Sequence, residues 1–112
     1  EPAEAVRWIR EAGGVPVLAH PTWVRTSADG LRTLVRDLKA AGLGGIEVHY
    51  STHTPSQTTE YLELAKQCDL LVTGGSDFHG VTKPDIEVGI GRGQLKVSEK
   101  LLDPLRKAAT SN

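Results

Sequence analysis

Three short, branched apolar runs at residues 15–19, 45–50 and 70–73 recur along this chain at about thirty-residue spacing, the length of a βα unit. Runs so short and so continuously apolar read as strands buried on both faces, the condition that parallel sheets impose. Parallel pairing through right-handed crossovers is the economical solution. The segments between the runs have the period of helices. Ala5, Ile9 and Ala12 share one helical face, with Pro2 suited to a first turn and Gly13-Gly14 placed to end it. Leu31, Leu34, Val35, Leu38 and Ala41 mark one face of an amphipathic helix closed by the glycines from 42 to 45. Thr54-Pro55-Ser56-Gln57 offers an N-cap, a first-turn proline and a glutamine at the capping-box position, so a helix to about Gln67 is expected, with Tyr61, Leu64, Ala65 and Cys68 inward. Residues 86–91 read as a weaker fourth strand. Ser98 caps a last helix using Leu101, Leu102 and Leu105, which Pro104 kinks or restarts at Asp103. The fold class is therefore α/β, three to four mostly parallel strands with flanking helices, and residues 1–112 form one unit.

Composition narrows the function. Lysine and arginine total 13 against 14 acidic residues, so no net field draws the chain to nucleic acid or to an anionic membrane, and an anionic substrate has to be held locally. The apolar runs are too short to cross a bilayer and the first residues lack a signal-peptide layout, so a soluble, cytoplasmic protein without membrane partners is expected. Cys68 is the single cysteine, which excludes an internal disulfide and a multi-cysteine zinc site. Metal chemistry must then use histidine and carboxylate. There is no methionine, and Glu1-Pro2 already reads as helix, the marks of an excised segment or a processed product.

The strands end at His20, at Glu47 with His49, and at Asp77 with His79. In parallel α/β sheets and barrels the carboxyl ends of the strands converge on one rim, so these ligand-type residues meet there. Imidazole with carboxylate suits divalent zinc, manganese or iron. Asp77-Phe78-His79 is the densest motif: on an extended backbone, residues two apart point to the same side, and one segment then supplies two ligands. Plainer roles compete with each assignment. His20 before Pro21 also suits a loop histidine bonded to backbone, and Asp77 after Ser76 a cap or turn former. Glu47 inside an apolar strand is costly to bury without a partner, which favours a functional role or an ion pair. His49 and His53 also fit solvent-facing positions. Arg25, Lys83 and Arg92 are candidate phosphate contacts, although surface cations are more often simply solvated.

Val17-Leu18-Ala19-His20-Pro21, Gly45-Ile46-Glu47-Val48, His53-Thr54-Pro55-Ser56-Gln57 and Gly74-Gly75-Ser76-Asp77-Phe78-His79-Gly80, in this order and spacing, resemble the PHP (polymerase and histidinol phosphatase) family of metal-dependent phosphoesterases. The branch most similar contains nucleoside 3′,5′-bisphosphate phosphatases and short-RNA 5′ exonucleases. The resemblance runs from about Ala5 to Leu105. It implies the C-terminal part of a distorted seven-stranded (β/α) barrel whose carboxyl rim holds up to three divalent ions, Mn, Zn, Fe or Mg. It also implies His20, Asp77 and His79 as metal ligands, Asp77 and His79 as the catalytic pair, Glu47 as a supporting residue behind them, and His53 as a loop histidine facing substrate, beside which Arg25 is expected as a substrate contact by its charge. The family's earlier His-x-His strand and its further ligands have no counterpart here, which places those N-terminal barrel strands before Glu1.

The function that follows is hydrolysis of phosphomonoesters of nucleotides or short oligonucleotides, by a metal-bound hydroxide attacking phosphorus. The chain alone is expected to be weak or inactive, with the missing N-terminal half of the domain and a phosphorylated small molecule or nucleotide as its partners. The rival is a non-catalytic α/β module that completes its sheet on a partner or by self-association. An amidohydrolase-like barrel uses similar ligands, but Ser76-Asp77-Phe78-His79-Gly80 argues against it.

Overall fold

The computed structural model describes residues 1–110. Its elements run α1 (Pro2–Glu11), β1 (Val17–Leu18), α2 (Ala28–Ala41), β2 (Gly45–Tyr50), α3 (Pro55–Gln67), β3 (Leu71–Gly75) and α4 (Leu102–Thr110). Three 3-10 turns, Pro21–Trp23, Gly80–Thr82 and Glu99–Leu101, stand at the loop positions. The strands form one parallel sheet in the order β1-β2-β3. The α/β class and parallel pairing thus hold, while the described residues form an open three-stranded sheet and not a closed barrel.

Local chemistry sets the helix boundaries where the sequence placed them. Ser27 caps α2 by accepting from the Gly30 amide, and Gly42 ends it at φ 116°, a left-handed turn that costs a glycine little. Thr54 and Gln57 complete a reciprocal capping box at the start of α3. Pro104 falls inside the first turn of α4, where its missing N–H is not needed, so the helix begins at Leu102, one residue ahead of the expected restart.

The core lies where the apolar faces of α2 and α3 meet β2. Val35, Ile46 and Val48 are completely buried, joined by Leu31, Leu38, Leu43, Tyr61, Leu64, Ala65 and Leu70, with Cys68 partly buried against them. Alternation along β2 sends Ile46 and Val48 into this cluster and Glu47 and His49 to the opposite, half-buried face.

Several expectations are corrected. The strands are not buried on both faces: β3 is half-buried throughout, as an edge strand covered on one side is. The first strand shortens to Val17–Leu18, because Pro16 has no N–H to extend a ladder and its carbonyl is already taken by the Gly44 and Gly45 amides. The inward face of α1 carries Val6 and Ala3, while Ala5, Ile9 and Ala12 are exposed. Here α1 rests on α2 along a narrow stripe, next to the Arg10 Nε donation to the Gly42 carbonyl at 2.7 Å. Residues 86–91 form no strand: Glu87 and Gly91 make an isolated antiparallel bridge, and Gly89, Gly91 and Gly93 all adopt positive φ, folding the segment back on itself around the buried Ile86.

Candidate functional site

The carboxyl end of the sheet is where backbone regularity stops. His20, two residues past β1, holds φ 29° and ψ 65°, and Asp77, two residues past β3, holds φ 59°. Non-glycine residues avoid this left-handed region unless their surroundings compel it, and such positions gather at functional sites. Asp77-Phe78-His79 is accordingly not extended, as the sequence suggested. The turn at Asp77 instead leaves Phe78 exposed and brings His79 back against Asp77, its Nδ1 2.7 Å from the Asp77 carbonyl and 3.3 Å from Oδ1.

Each strand end is tied to the next. The His20 backbone N–H donates to Glu47 Oε1 at 2.8 Å, which gives the carboxylate inside β2 the partner that its burial demands. Gly75, where an added Cβ would stand 3.2 Å from Glu47 Oε2, leaves the room for it. The β2–β3 register slips between Glu47 and His49, a bulge that re-aims the end of the strand as such features do beside active sites. Past the bulge, the Tyr50 ring lies 5.5 Å from the His20 ring, and its hydroxyl donates to Asp77 Oδ2 at 2.9 Å. Trp23 Nε1, from the turn after His20, donates to the Tyr50 oxygen at 3.3 Å. The Lys83 ammonium donates to the same Asp77 Oδ2.

His20, Glu47, Asp77 and His79 are therefore brought to one rim, through Tyr50. Arg25 is exposed in the loop before α2, and Arg92 is engaged with Asp85 at 2.7 Å. His53 lies between Tyr50 and Tyr61, edge-on to the first and tilted to the second, with centroid distances of 5.2 and 4.7 Å. Its Nδ1 sits 2.6 Å from the Val48 carbonyl, which can only accept, so Nδ1 carries the proton and the buried Nε2 is an acceptor without a partner. His49 and His53 line a groove of about 400 Å³ with Gln94 and Lys96. Tyr50 is the residue that sequence reasoning missed. Nothing local distinguishes a strand-end tyrosine from a core one, and its place beside the slipped register became visible only in three dimensions.

Electrostatics follow this geometry. Burial pushes the Glu47 carboxyl up, against the lowering effects of the His20 amide and charge, and nearby Asp77 adds to the rise. Asp77 is held below its ordinary value, first by Lys83 and then by the Tyr50 hydroxyl. Burial lowers His53 and keeps it neutral. For Glu47, a folded pKa above the reference 4.5 gives stability that is present below that value and lost as pH rises through the folded one. Glu47→Gln keeps an oxygen for the His20 amide without the charge. Its stability relative to wild type, measured by urea unfolding, should rise with pH across this window, whereas a constant difference would exclude a buried, titrating Glu47.

The donor types suit a divalent ion, and a neutral His79 that gives its Nδ1 proton to the Asp77 carbonyl leaves Nε2 free for coordination. The set is incomplete, however. Among the described residues no group of three or more histidine, cysteine, aspartate or glutamate side chains is arranged to hold a metal. Asp77 and His79 form a pair, the Tyr50 ring stands beside His20, and an ammonium rests on the carboxylate.

No family model matches the chain. It is 46% identical over 77 residues to the phosphoribosyl 1,2-cyclic phosphate 1,2-diphosphodiesterase of Eggerthella lenta, covering 69% of this chain and 28% of that protein. It is 35% identical over 86 residues to the 3′,5′-nucleoside bisphosphate phosphatase of Chromobacterium violaceum, covering 77% of this chain and 30% of that one. The chain thus spans under a third of the curated relatives it matches. Among solved structures, one from Bifidobacterium adolescentis designated a metal-dependent phosphoesterase superposes with a TM-score of 0.76 at 31% identity, over 96% of this chain and 36% of that one. An amidohydrolase from Chromobacterium violaceum with bound sulfate and no metal gives 0.78 at 29% identity, over 99% and 37%.

Proposed function

Because the chain belongs to the PHP family of phosphoesterases, matching a carboxy-terminal portion of its domain, we propose that it supplies one side of a divalent-metal site hydrolysing a sugar-phosphate ester. Residues 1–112 are then a single partial domain, and the remaining strands and ligands come from elsewhere in the intact cytoplasmic protein, or from a partner that completes the sheet. The observation that carries the proposal is the linkage of all three strand ends on one rim, His20 through Glu47 and Tyr50 to Asp77.

In this reading His20, Asp77 and His79 hold the metal, which when bound supplies Lewis-acid activation of water and neutralises charge on phosphate. The chain's own residues do the positioning. Glu47 fixes the backbone of His20, Tyr50 orients the Asp77 carboxylate, and the Asp77 carbonyl sets the His79 ring so that one nitrogen faces outward. Asp77 and His79 are the catalytic pair. His53, beside the groove that it lines with His49, and the exposed Arg25 contact the substrate.

Two substrates are supported: a nucleotide phosphomonoester by the bisphosphate phosphatase, and a ribose cyclic phosphodiester by the Eggerthella relative. Both are cleaved at phosphorus. The amidohydrolase name of one structural neighbour points elsewhere, but both curated relatives described above act on phosphate esters. The test is hydrolysis of nucleoside 3′,5′-bisphosphate and of a ribose 1,2-cyclic phosphate by the full-length natural protein with manganese. Turnover of either that a chelator stops and manganese restores is the expected result. Turnover that is indifferent to the chelator, or of amides alone, would overturn the proposal.

A further inference from the structure

The 3-10 turn Pro21–Trp23 follows His20 directly and is tied down at each of its residues. Pro21 is buried, Thr22 Oγ1 accepts from Gln57 Nε2 of α3 at 3.0 Å, and the Trp23 amide donates to the His20 carbonyl at 2.9 Å. On this fixed backbone Trp23 is nevertheless 63% exposed. Its ring is oriented all the same: Nε1 donates to the Tyr50 oxygen at 3.3 Å, and the Tyr50 hydroxyl donates in turn to Asp77. One edge of the indole is thus fastened to the rim while most of the residue stays uncovered. A tethered, exposed aromatic ring forgoes its burial energy, and being already ordered it costs little entropy to stack against. Beside it opens a pocket of about 160 Å³ that Trp23 lines with Tyr50, Thr52, Lys83, Asp85 and Arg92. Pockets that enclose an organic ligand run from roughly 300 to 1,000 Å³, so this one takes a fragment of a substrate and leaves the rest outside. Its cations select the fragment. Lys83 pairs with Asp77, and Arg92 engages Asp85 through Nε, one of several N–H donors on its guanidinium. Two cationic heads and the Thr52 hydroxyl at one small cavity suit a phosphate group.

We propose that Trp23 determines specificity at this rim, as a stacking platform for the base of a nucleotide whose phosphate-bearing end enters the pocket. This inference rests on the reading of the rim as a phosphate-ester site, and it chooses between the two substrates supported above. A nucleotide presents a base to the indole, whereas a ribose cyclic phosphate has none to present. Stacking needs no hydrogen-bond readout, because every base has a π-face, so the platform favours nucleotides over bare sugar phosphates without choosing among bases. The tie from Nε1 to Tyr50 keeps the ring beside the pocket, where base and phosphate of one molecule are engaged together.

The test is isothermal titration calorimetry of the full-length protein with adenosine 5′-monophosphate and with ribose 5-phosphate, in a chelator so that binding is read without metal or turnover. Trp23→Ala should weaken the nucleotide about tenfold or more, the scale of one lost base–aromatic stack, and leave the affinity for ribose 5-phosphate unchanged. Trp23→Phe keeps a ring but loses the Nε1 donor to Tyr50, and it should retain most of the nucleotide affinity. An indole that served only to hold Tyr50 would give the opposite pattern, with Trp23→Phe and Trp23→Ala falling together and both ligands weakened alike, and that result overturns the inference. So does a Trp23→Ala protein that binds the nucleotide as wild type does, or a wild type that binds no nucleotide. Thermal melting identifies a variant that fails to fold, and Trp23→Leu, apolar without a ring, then stands in for Trp23→Ala. A protein that hydrolyses phosphate esters with manganese while its nucleotide affinity is indifferent to Trp23 loses this inference and keeps the proposed function.

Discussion

Asp77→Ala should reduce manganese-dependent phosphate release by the full-length protein by about a thousandfold or more, the scale on which removing a metal-positioning or charge-stabilising group acts. Several contacts converge on this residue. Its carboxylate takes the Tyr50 hydroxyl and the Lys83 ammonium, and its carbonyl sets the His79 ring. Alanine keeps the carbonyl that His79 meets and deletes the carboxylate together with its contacts to Tyr50, Lys83 and His79, so the loss reports the carboxylate and what it holds. Because Asp77 lies in the loop past β3 and outside the apolar core, the variant should keep its fold. An unchanged rate would remove Asp77 from the site, and a lost circular dichroism signal would assign it a structural role instead.

Ile46→Ala should produce the largest loss of stability in the chain. Ile46 is completely buried near the start of the central strand, paired on one side with Leu18 of β1 and on the other with Val72 of β3, and within the cluster formed with α2 and α3. Removing its three outer carbons forfeits their transfer energy and leaves a cavity that three paired strands cannot collapse to fill. The expected cost is about 2 to 5 kcal/mol, a large share of the roughly 5 to 15 kcal/mol that keeps a domain folded. Urea unfolding should show a lower midpoint with little change in slope. A cost below about 1 kcal/mol, as for a surface change, would mean that β2 is not the centre of the fold.

What the sequence conveyed best was local. α2 and its left-handed stop at Gly42, and α3 with its Thr54–Gln57 box, are written in residues a few positions apart, and the structure follows them. β2 was legible because a branched run bounded by glycine and a polar loop has few alternatives. The side of α1 that faces inward was not legible, since Ala5, Ile9 and Ala12 make as good a stripe as Ala3 and Val6, and only the position of α2 decides between them. Residues 86–91 carry strand-like composition, but Gly89 and Gly91 at positive φ, with Gly93 just beyond, turn the segment back. The strand ends that carry His20, Glu47, Asp77 and His79 share one edge because parallel strands end together, but among the described residues His20 does not join Asp77 and His79 in a group arranged to hold a metal. The wiring of that edge was not legible. The left-handed turn at Asp77, the slipped register before His49 and the central place of Tyr50 depend on packing between segments distant in sequence.

Manganese soaked into crystals of the full-length protein, located by anomalous scattering, tests the central claim most directly. The account predicts an ion bonded to the Asp77 carboxylate and a His79 nitrogen, with His20 ligating at the same rim. Manganese bound elsewhere, or held at this rim with none of those three side chains among its ligands, would contradict it.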